Sequence, residues 1–163
     1  MQKFNSQKII DKYSDMIYQI AIGYLLNQDD AEDIVQEVLL KYIRMNPKFK
    51  DENHEKYWIV RVTINMCCNE IHSASKTKNL PYIENTNSIK FETTCEANIF
   101  DCIRKLKTGY RRIFELHYLH DMKIGEISKI LNIREDAVKT RLKRARDTLK
   151  ELLRKEHIEQ WKI

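Results

Sequence analysis

Six cationic side chains crowd into thirteen residues near the C-terminal end: Arg134, Lys139, Arg141, Lys143, Arg144 and Arg146. Only Glu135 and Asp136 oppose them, and Thr140 adds a hydroxyl. Such groups neutralise phosphates, and a guanidinium also fits the paired acceptors of a guanine edge. This is the chemistry of polyanion recognition, not of bond making. A solvated basic helix in a helical hairpin is the competing reading. The elements that carry the charge decide between them. Ile124-Gly125-Glu126-Ile127-Ser128-Lys129-Ile130-Leu131 reads as a short amphipathic helix, with Ser128 small enough for a close helix crossing. Asn132 tolerates a left-handed turn, and Ile133 re-enters the core. Glu135-Asp136 then opens a second helix with Val138, Leu142 and Ala145 inward. That is a helix-turn-helix layout, whose second helix lies in the major groove of DNA.

Two further stripes carry possible contacts. Trp58, Arg61, Asn65 and Asn69 follow one another at steps of three, four and four, so they share a helix face. A loop with Phe49 and Lys50 lies beside them, as does Lys56. Stacking on an aromatic ring is worth about 1–3 kcal/mol per unpaired base, and amides bond base edges. A core tryptophan among solvated asparagines has the same spacing, so the residues leave both readings open. On the helix Asp29–Arg44, the outer face presents Asp30, Asp33, Gln36, Glu37, Leu40, Lys41 and Arg44. Leu40 stands exposed among charges there, which suits protein docking as well as a plain solvated face.

No catalytic set converges, so the chain reads as a non-enzyme. Cys67, Cys68, Cys95 and Cys102 form no C-x-x-C pair and read as reduced thiols. His117 and His120 are spaced to share a metal but lack further ligands, so no metal and no cofactor is expected.

The elements that must position these residues are helices. Three glycines and two prolines in 163 residues are too few for the turns of a sheet protein. Apolar periodicity predicts helices over about 6–26, 29–45 and 55–73, the second opened by an Asp29/Glu32 capping box and ended at Asn46-Pro47. The core stripe of the third is Tyr57, Val60, Ile64, Cys67 and Ile71. Residues 74–94 are polar and read as a linker. Helices near 96–106, 110–120, 124–131 and 135–153 follow, the first two separated by Gly109. The fold class is all-α: two small helical bundles joined by a linker, the C-terminal one a helix-turn-helix domain. The boundaries are 1–73, 74–94 and 95–153, with 154–163 as a tail.

Charge follows the same division. Residues 1–73 carry 9 Lys/Arg against 11 Asp/Glu, whereas residues 95–163 carry 17 against 11. The asymmetry assigns the polyanion to the C-terminal part. No apolar run approaches the roughly 20 residues of a membrane span and no signal peptide is visible. A cytoplasmic protein without membrane insertion is expected.

The three stripes, in this order, resemble an extracytoplasmic-function (ECF) sigma factor of the sigma-70 superfamily. Asp30-Ala31-Glu32-Asp33-Ile34-Val35-Gln36-Glu37-Val38 is similar to the family's polymerase-docking helix. Tyr57-Trp58-Ile59-Val60-Arg61-Val62-Thr63-Ile64-Asn65 is similar to the helix after its promoter-reading loop. Val138-Lys139-Thr140-Arg141-Leu142-Lys143-Arg144-Ala145-Arg146 resembles its recognition helix. The resemblance implies a subunit of RNA polymerase that selects promoters and helps open the strands. Asp33, Gln36, Glu37 and Leu40 would bind the β′ clamp, with the β subunit as a further contact. Phe49, Lys56, Trp58, Arg61, Asn65 and Asn69 would capture bases of the −10 element. Lys139, Thr140, Arg141, Lys143 and Arg144, with Arg134 beside them, would read the −35 duplex. Many relatives are held inactive by an anti-sigma protein, which joins core polymerase and promoter DNA among the expected partners. The acidic loop 51–54 departs from the pattern.

Overall fold

Helices account for nearly all of the regular structure in the computed structural model, which describes residues 6–77 and 97–156. The chain divides into two compact units, residues 1–83 and 84–163.

The first unit packs three helices: α1 (Ser6–Leu25), α2 (Gln28–Met45) and α3 (Glu52–Thr77). Each contributes one apolar stripe. Tyr13, Ile17 and Ala21 of α1 meet Ala31, Ile34, Val38, Leu39 and Tyr42 of α2 and Ile59, Val62 and Cys67 of α3. Leu26, in the left-handed region at φ 57°, ends α1. The N-cap of α2 is Asn27, whose Oδ1 accepts from the Asp30 amide at 3.1 Å. This replaces the expected Asp29/Glu32 box. An Asn two residues earlier reaches the free amides first and leaves Asp29 and Asp30 to complement the helix dipole. Asn46 closes α2 in the left-handed region, its N–H donating to the Tyr42 carbonyl.

Helix α3 departs most from expectation. It starts at Glu52, so Glu52, Asn53 and His54 belong to its first turn rather than to a loop. The His54 amide donates to Asp51 Oδ1 at 2.8 Å, an acidic cap that the polar composition of the segment hides. The helix also continues through Thr77, into the segment read as linker. The rest of that segment lies outside the described residues. The core face of α3 is broader than the expected stripe. Ile59, Val60, Val62, Thr63 and Ile64 are all buried, whereas Tyr57 and Ile71 are only half-buried.

The second unit contains α4 (Ala97–Arg104), α5 (Thr108–Phe114), a π-helical turn (Glu115–Leu119), α6 (Ile124–Leu131) and α7 (Glu135–Lys155). Cys102, Ile103, Leu106 and Phe114 pack against Ala145, Leu149 and Leu153 of α7. Gly109 does not separate helices. It sits in the first turn of α5, and the break falls at residues 105–107. The expected single helix over 110–120 is likewise replaced in its second half by the π turn, where the His120 amide donates to the Glu115 carbonyl at 3.0 Å. The wider turn changes the phase of the helix face, and Tyr118 and Leu119 emerge 39% and 43% exposed. Helix α7 runs two residues past the expected end, and the tail from 157 onward lies outside the described residues.

Leu149 is fully buried in this second core. Leu149→Ala should cost about 2–5 kcal/mol. Urea unfolding followed by circular dichroism measures it, and a midpoint equal to that of the parent would contradict the packing described.

Candidate nucleic-acid interface

The turn between α6 and α7 fixes the geometry of the basic surface. Asn132 adopts the left-handed conformation at φ 53°. The Ile133 amide donates to the Ser128 carbonyl at 3.1 Å, and the Ser128 hydroxyl donates to the Ile133 carbonyl at 2.6 Å. Ser128 is thus a bracket across the turn. Gly125 also lies close to the start of α7, where an added Cβ would stand 3.2 Å from Glu135 Oε1. The Lys123 amide donates to Glu126 Oε2 at 2.8 Å and fixes the entry of α6.

With that turn set, α7 turns one stripe inward. Val138, Leu142, Ala145, Leu149 and Leu153 are buried. Arg134, Lys139, Thr140, Arg141, Lys143 and Arg144 are all exposed. Arg134, Asp136, Ala137, Thr140, Arg141 and Arg144 line a shallow groove of about 400 Å³. The Thr140 hydroxyl donates to the Asp136 carbonyl at 2.8 Å, so its oxygen lone pairs face outward. Two arginines of α7 lean on tyrosines: Arg144 Nη1 lies 3.5 Å from the Tyr110 hydroxyl, and Arg146 Nη1 lies 3.4 Å from that of Tyr118. The Arg144 contact draws the Tyr110 phenol below its ordinary pKa. Neither tyrosine was marked by sequence reasoning, because the contact joins residues more than 25 apart.

The first unit gathers its residues on two surfaces. On α2, Asp33, Gln36, Glu37 and Leu40 are exposed, Leu40 by 47%. On α3, Arg61, Asn65 and Asn69 are exposed along one stripe. Trp58 at its head is half-buried and meets the Tyr42 ring edge-on at 5.8 Å. Phe49 is also half-buried, stacked on Tyr42 at 5.9 Å and edge-on to His54 at 5.5 Å. Trp58 thus packs against the core while remaining partly exposed, so both readings of it stay open. Lys56 is half-buried and helical.

Glu55, unmarked in the sequence, is the hub beneath this surface. Its Oε2 accepts from the Tyr13 hydroxyl at 2.7 Å and from Lys12 Nζ at 3.0 Å, and its Oε1 accepts from the Tyr42 hydroxyl. Burial pushes the Glu55 carboxyl up, but the donors Tyr42, Tyr13 and Lys12 outweigh burial and hold it below its ordinary value. Burial and the same carboxylate push Tyr13 up to about 12, and Tyr42 is raised as well. Four residues on three helices converge here with no local pattern to announce the contact.

Among the described residues the thiols and imidazoles form no metal-binding cluster. Cys67 and Cys102 are buried, burial pushing the Cys102 thiol up, and Cys68 is half-buried. Cys95 lies outside the described residues. His117 Nδ1 donates to the Met122 carbonyl at 2.9 Å, and His120 is buried. Among the described residues no three His, Cys, Asp or Glu side chains cluster as metal ligands. Among them, too, no helix is long and apolar enough to cross a membrane.

Two helical units, the second a helix-turn-helix with a basic outer face, define a DNA-binding protein of the helix-turn-helix class. Comparison with known proteins narrows this. Residues 9–77 match the family Sigma-70 region 2, and residues 96–149 match Sigma-70, region 4. The chain is 29% identical to the ECF RNA polymerase sigma factor SigW of Bacillus subtilis, over 90% of this chain and 87% of that one. It is 26% identical to the RNA polymerase sigma factor SigV of the same organism, over 91% of each. Among solved structures, the sigma factor RpoE of Bartonella quintana superposes with a TM-score of 0.70 at 19% identity, covering 91% of this chain and 96% of that one. The chain belongs to the sigma-70 family, as an ECF sigma factor with region 2 and region 4 domains. It is a non-enzymatic subunit that binds core RNA polymerase and DNA and serves promoter recognition at transcription initiation.

The Glu55 hub carries a pH dependence. A carboxyl depressed in the folded state contributes stability above its unfolded value of about 4.3, and that contribution is lost as pH falls through the folded value. Glu55→Gln should therefore destabilise the protein near neutral pH, with the gap closing in acid. Urea midpoints at pH steps down to about 3 read this out; a gap that stays constant would remove the assigned role.

Proposed function

We propose that this sigma factor divides its work among three surfaces. The outer face of α7 reads the −35 element as duplex through Arg134, Lys139, Thr140, Arg141, Lys143 and Arg144. The surface of Phe49, Lys56, Trp58, Arg61, Asn65 and Asn69 captures unstacked bases of the −10 element and so promotes strand opening. Asp33, Gln36, Glu37 and Leu40 dock on the β′ clamp, and the β subunit supplies a further contact. The observation that carries this reading is the strict alternation on α7: the apolar positions are buried and every cationic position named is open. Base capture offsets the few kcal/mol of unstacking. The segment 74–94, whose first four residues belong to α3, connects the two domains through the polymerase interior. The cytoplasm, where core polymerase meets promoter DNA, is the place of action.

An anti-sigma protein is the natural regulator on this reading. The Bartonella quintana structure is of RpoE in complex with the anti-sigma factor NepR. A stand-alone regulator using α7 without polymerase is disfavoured by the exposed, largely acidic α2 face, which such a protein would not need.

In vitro transcription with core polymerase, followed by start-site mapping, tests the proposal directly. Transcripts sharing upstream elements are expected only when this chain is added. Arg141→Ala should weaken −35 recognition by about 1–3 kcal/mol, and an unchanged footprint would count against it. Asn65→Ala should lower open-complex formation with the −35 contact intact, as permanganate reactivity reports. Leu40→Ala should shift stability by less than about 0.5 kcal/mol, since the side chain is open to solvent. It should nonetheless weaken binding to core polymerase, and equal co-purification of parent and variant would exclude Leu40 from the interface.

A further inference from the structure

We infer that Glu55 is a positioning residue for −10 strand capture, fixing the loop 46–51 and the aromatic group Tyr42, Phe49 and Trp58 in the arrangement that meets an unstacked base. The inference rests on the reading of this surface as the −10 site.

The loop is held at both ends by α2 and α3. At its start the Asn46 amide donates to the Tyr42 carbonyl at 2.9 Å. At its end the Glu55 amide donates to the Asp51 carbonyl at 3.1 Å, and the His54 amide donates to the Asp51 side chain. Backbone anchors alone leave the rings free to slide. Between the anchors, Phe49 touches three rings: Tyr42, His54 and Trp58, the last at 5.9 Å. Of these, Tyr42 sits deepest, at 5% exposure, and its hydroxyl bonds Glu55 across the gap between α2 and α3. The Glu55 carboxylate therefore gives the platform under Phe49 a directional tie to α3 beside the ring contact of Tyr42 with Trp58. The same carboxylate ties in α1 through Tyr13 and Lys12, and Lys12 also reaches Glu52 Oε1 at 3.2 Å. Lose the carboxylate, and the Tyr42 hydroxyl loses the partner that sets its height against Phe49. A recognition surface loosened in its supporting shell binds weakly even when every contact residue is present.

The test uses holoenzyme reconstituted from the full chain and core polymerase. Two probes are compared: a labelled single-stranded oligonucleotide carrying the non-template −10 sequence of a mapped promoter, and a duplex carrying only the −35 element. All variants are assayed where circular dichroism shows them fully folded. Glu55→Ala should lower single-strand affinity about tenfold and leave −35 duplex affinity unchanged. Glu55→Gln keeps an acceptor at the same place and should recover most of the loss. A purely structural role predicts parental affinity once the chain is folded, and that result for Glu55→Ala overturns the proposal. If Glu55→Ala does not fold, Tyr42→Phe takes its place, since it keeps the buried ring and removes only the hydroxyl. A reduced single-strand affinity then supports the proposal, and parental affinity overturns it. Asn65→Ala, run in parallel, separates the two readings. If it loses affinity while the Glu55 and Tyr42 variants do not, positioning fails and the −10 site stands. If none of the variants loses affinity, the −10 site itself is misplaced.

Discussion

Burial of Val138, Leu142, Ala145, Leu149 and Leu153 along one stripe of α7 is the constraint from which the rest follows. Those positions recur every three or four residues, so the cations between them have nowhere to go but outward. Close-set like charges on a helix repel one another and would weaken it in isolation. Helices in proteins gain most of their stability from packing rather than from intrinsic propensity. The basic surface thus exists because the core on the opposite side holds the helix together against its own charge. The Ser128–Ile133 bracket and the left-handed Asn132 then fix the angle at which this stripe meets α6.

The first unit solves a related problem with a different device. Its faces are less charged, and α3 is so broadly apolar that Ile59, Val60, Val62, Thr63 and Ile64 are all buried. Apolar packing of that breadth does little to set the rotation of a helix about its axis. A polar group with directional partners does. Glu55 accepts from α1 and α2 at once, and each donor fixes an angle as well as a distance. A half-buried carboxylate is tolerable there because three donors compensate its lost hydration.

How much of this the sequence discloses depends on range. Periodic features within one helix were legible, the α7 stripe and the outer face of α2, and so was the left-handed turn at Asn132; at Asn46 only the end of the helix was legible, not its left-handed conformation. End effects were legible only to a few residues. Asn27 rather than Asp29 caps α2, and α3 begins three residues early because Asp51 caps it. Features that join distant residues were not legible. Glu55 with Tyr13 and Tyr42, and Tyr110 with Arg144, are separated by 42, 13 and 34 residues, and no local pattern signals such pairs. The π turn escaped for another reason: Glu115–Leu119 has the composition of an ordinary helix, and only its long-step hydrogen bonds set it apart.

The separation of duties on α7 has an evolutionary side. Lys139, Arg141, Lys143 and Arg144 take no part in the interior, and exposed positions of this kind accept replacement at a cost within about 0.5 kcal/mol. A duplicated gene can therefore drift at these four letters without the protein losing its shape. If these positions read the −35 element as proposed, new regulatory circuits need only a handful of codon changes, provided the silent half of the helix is left alone.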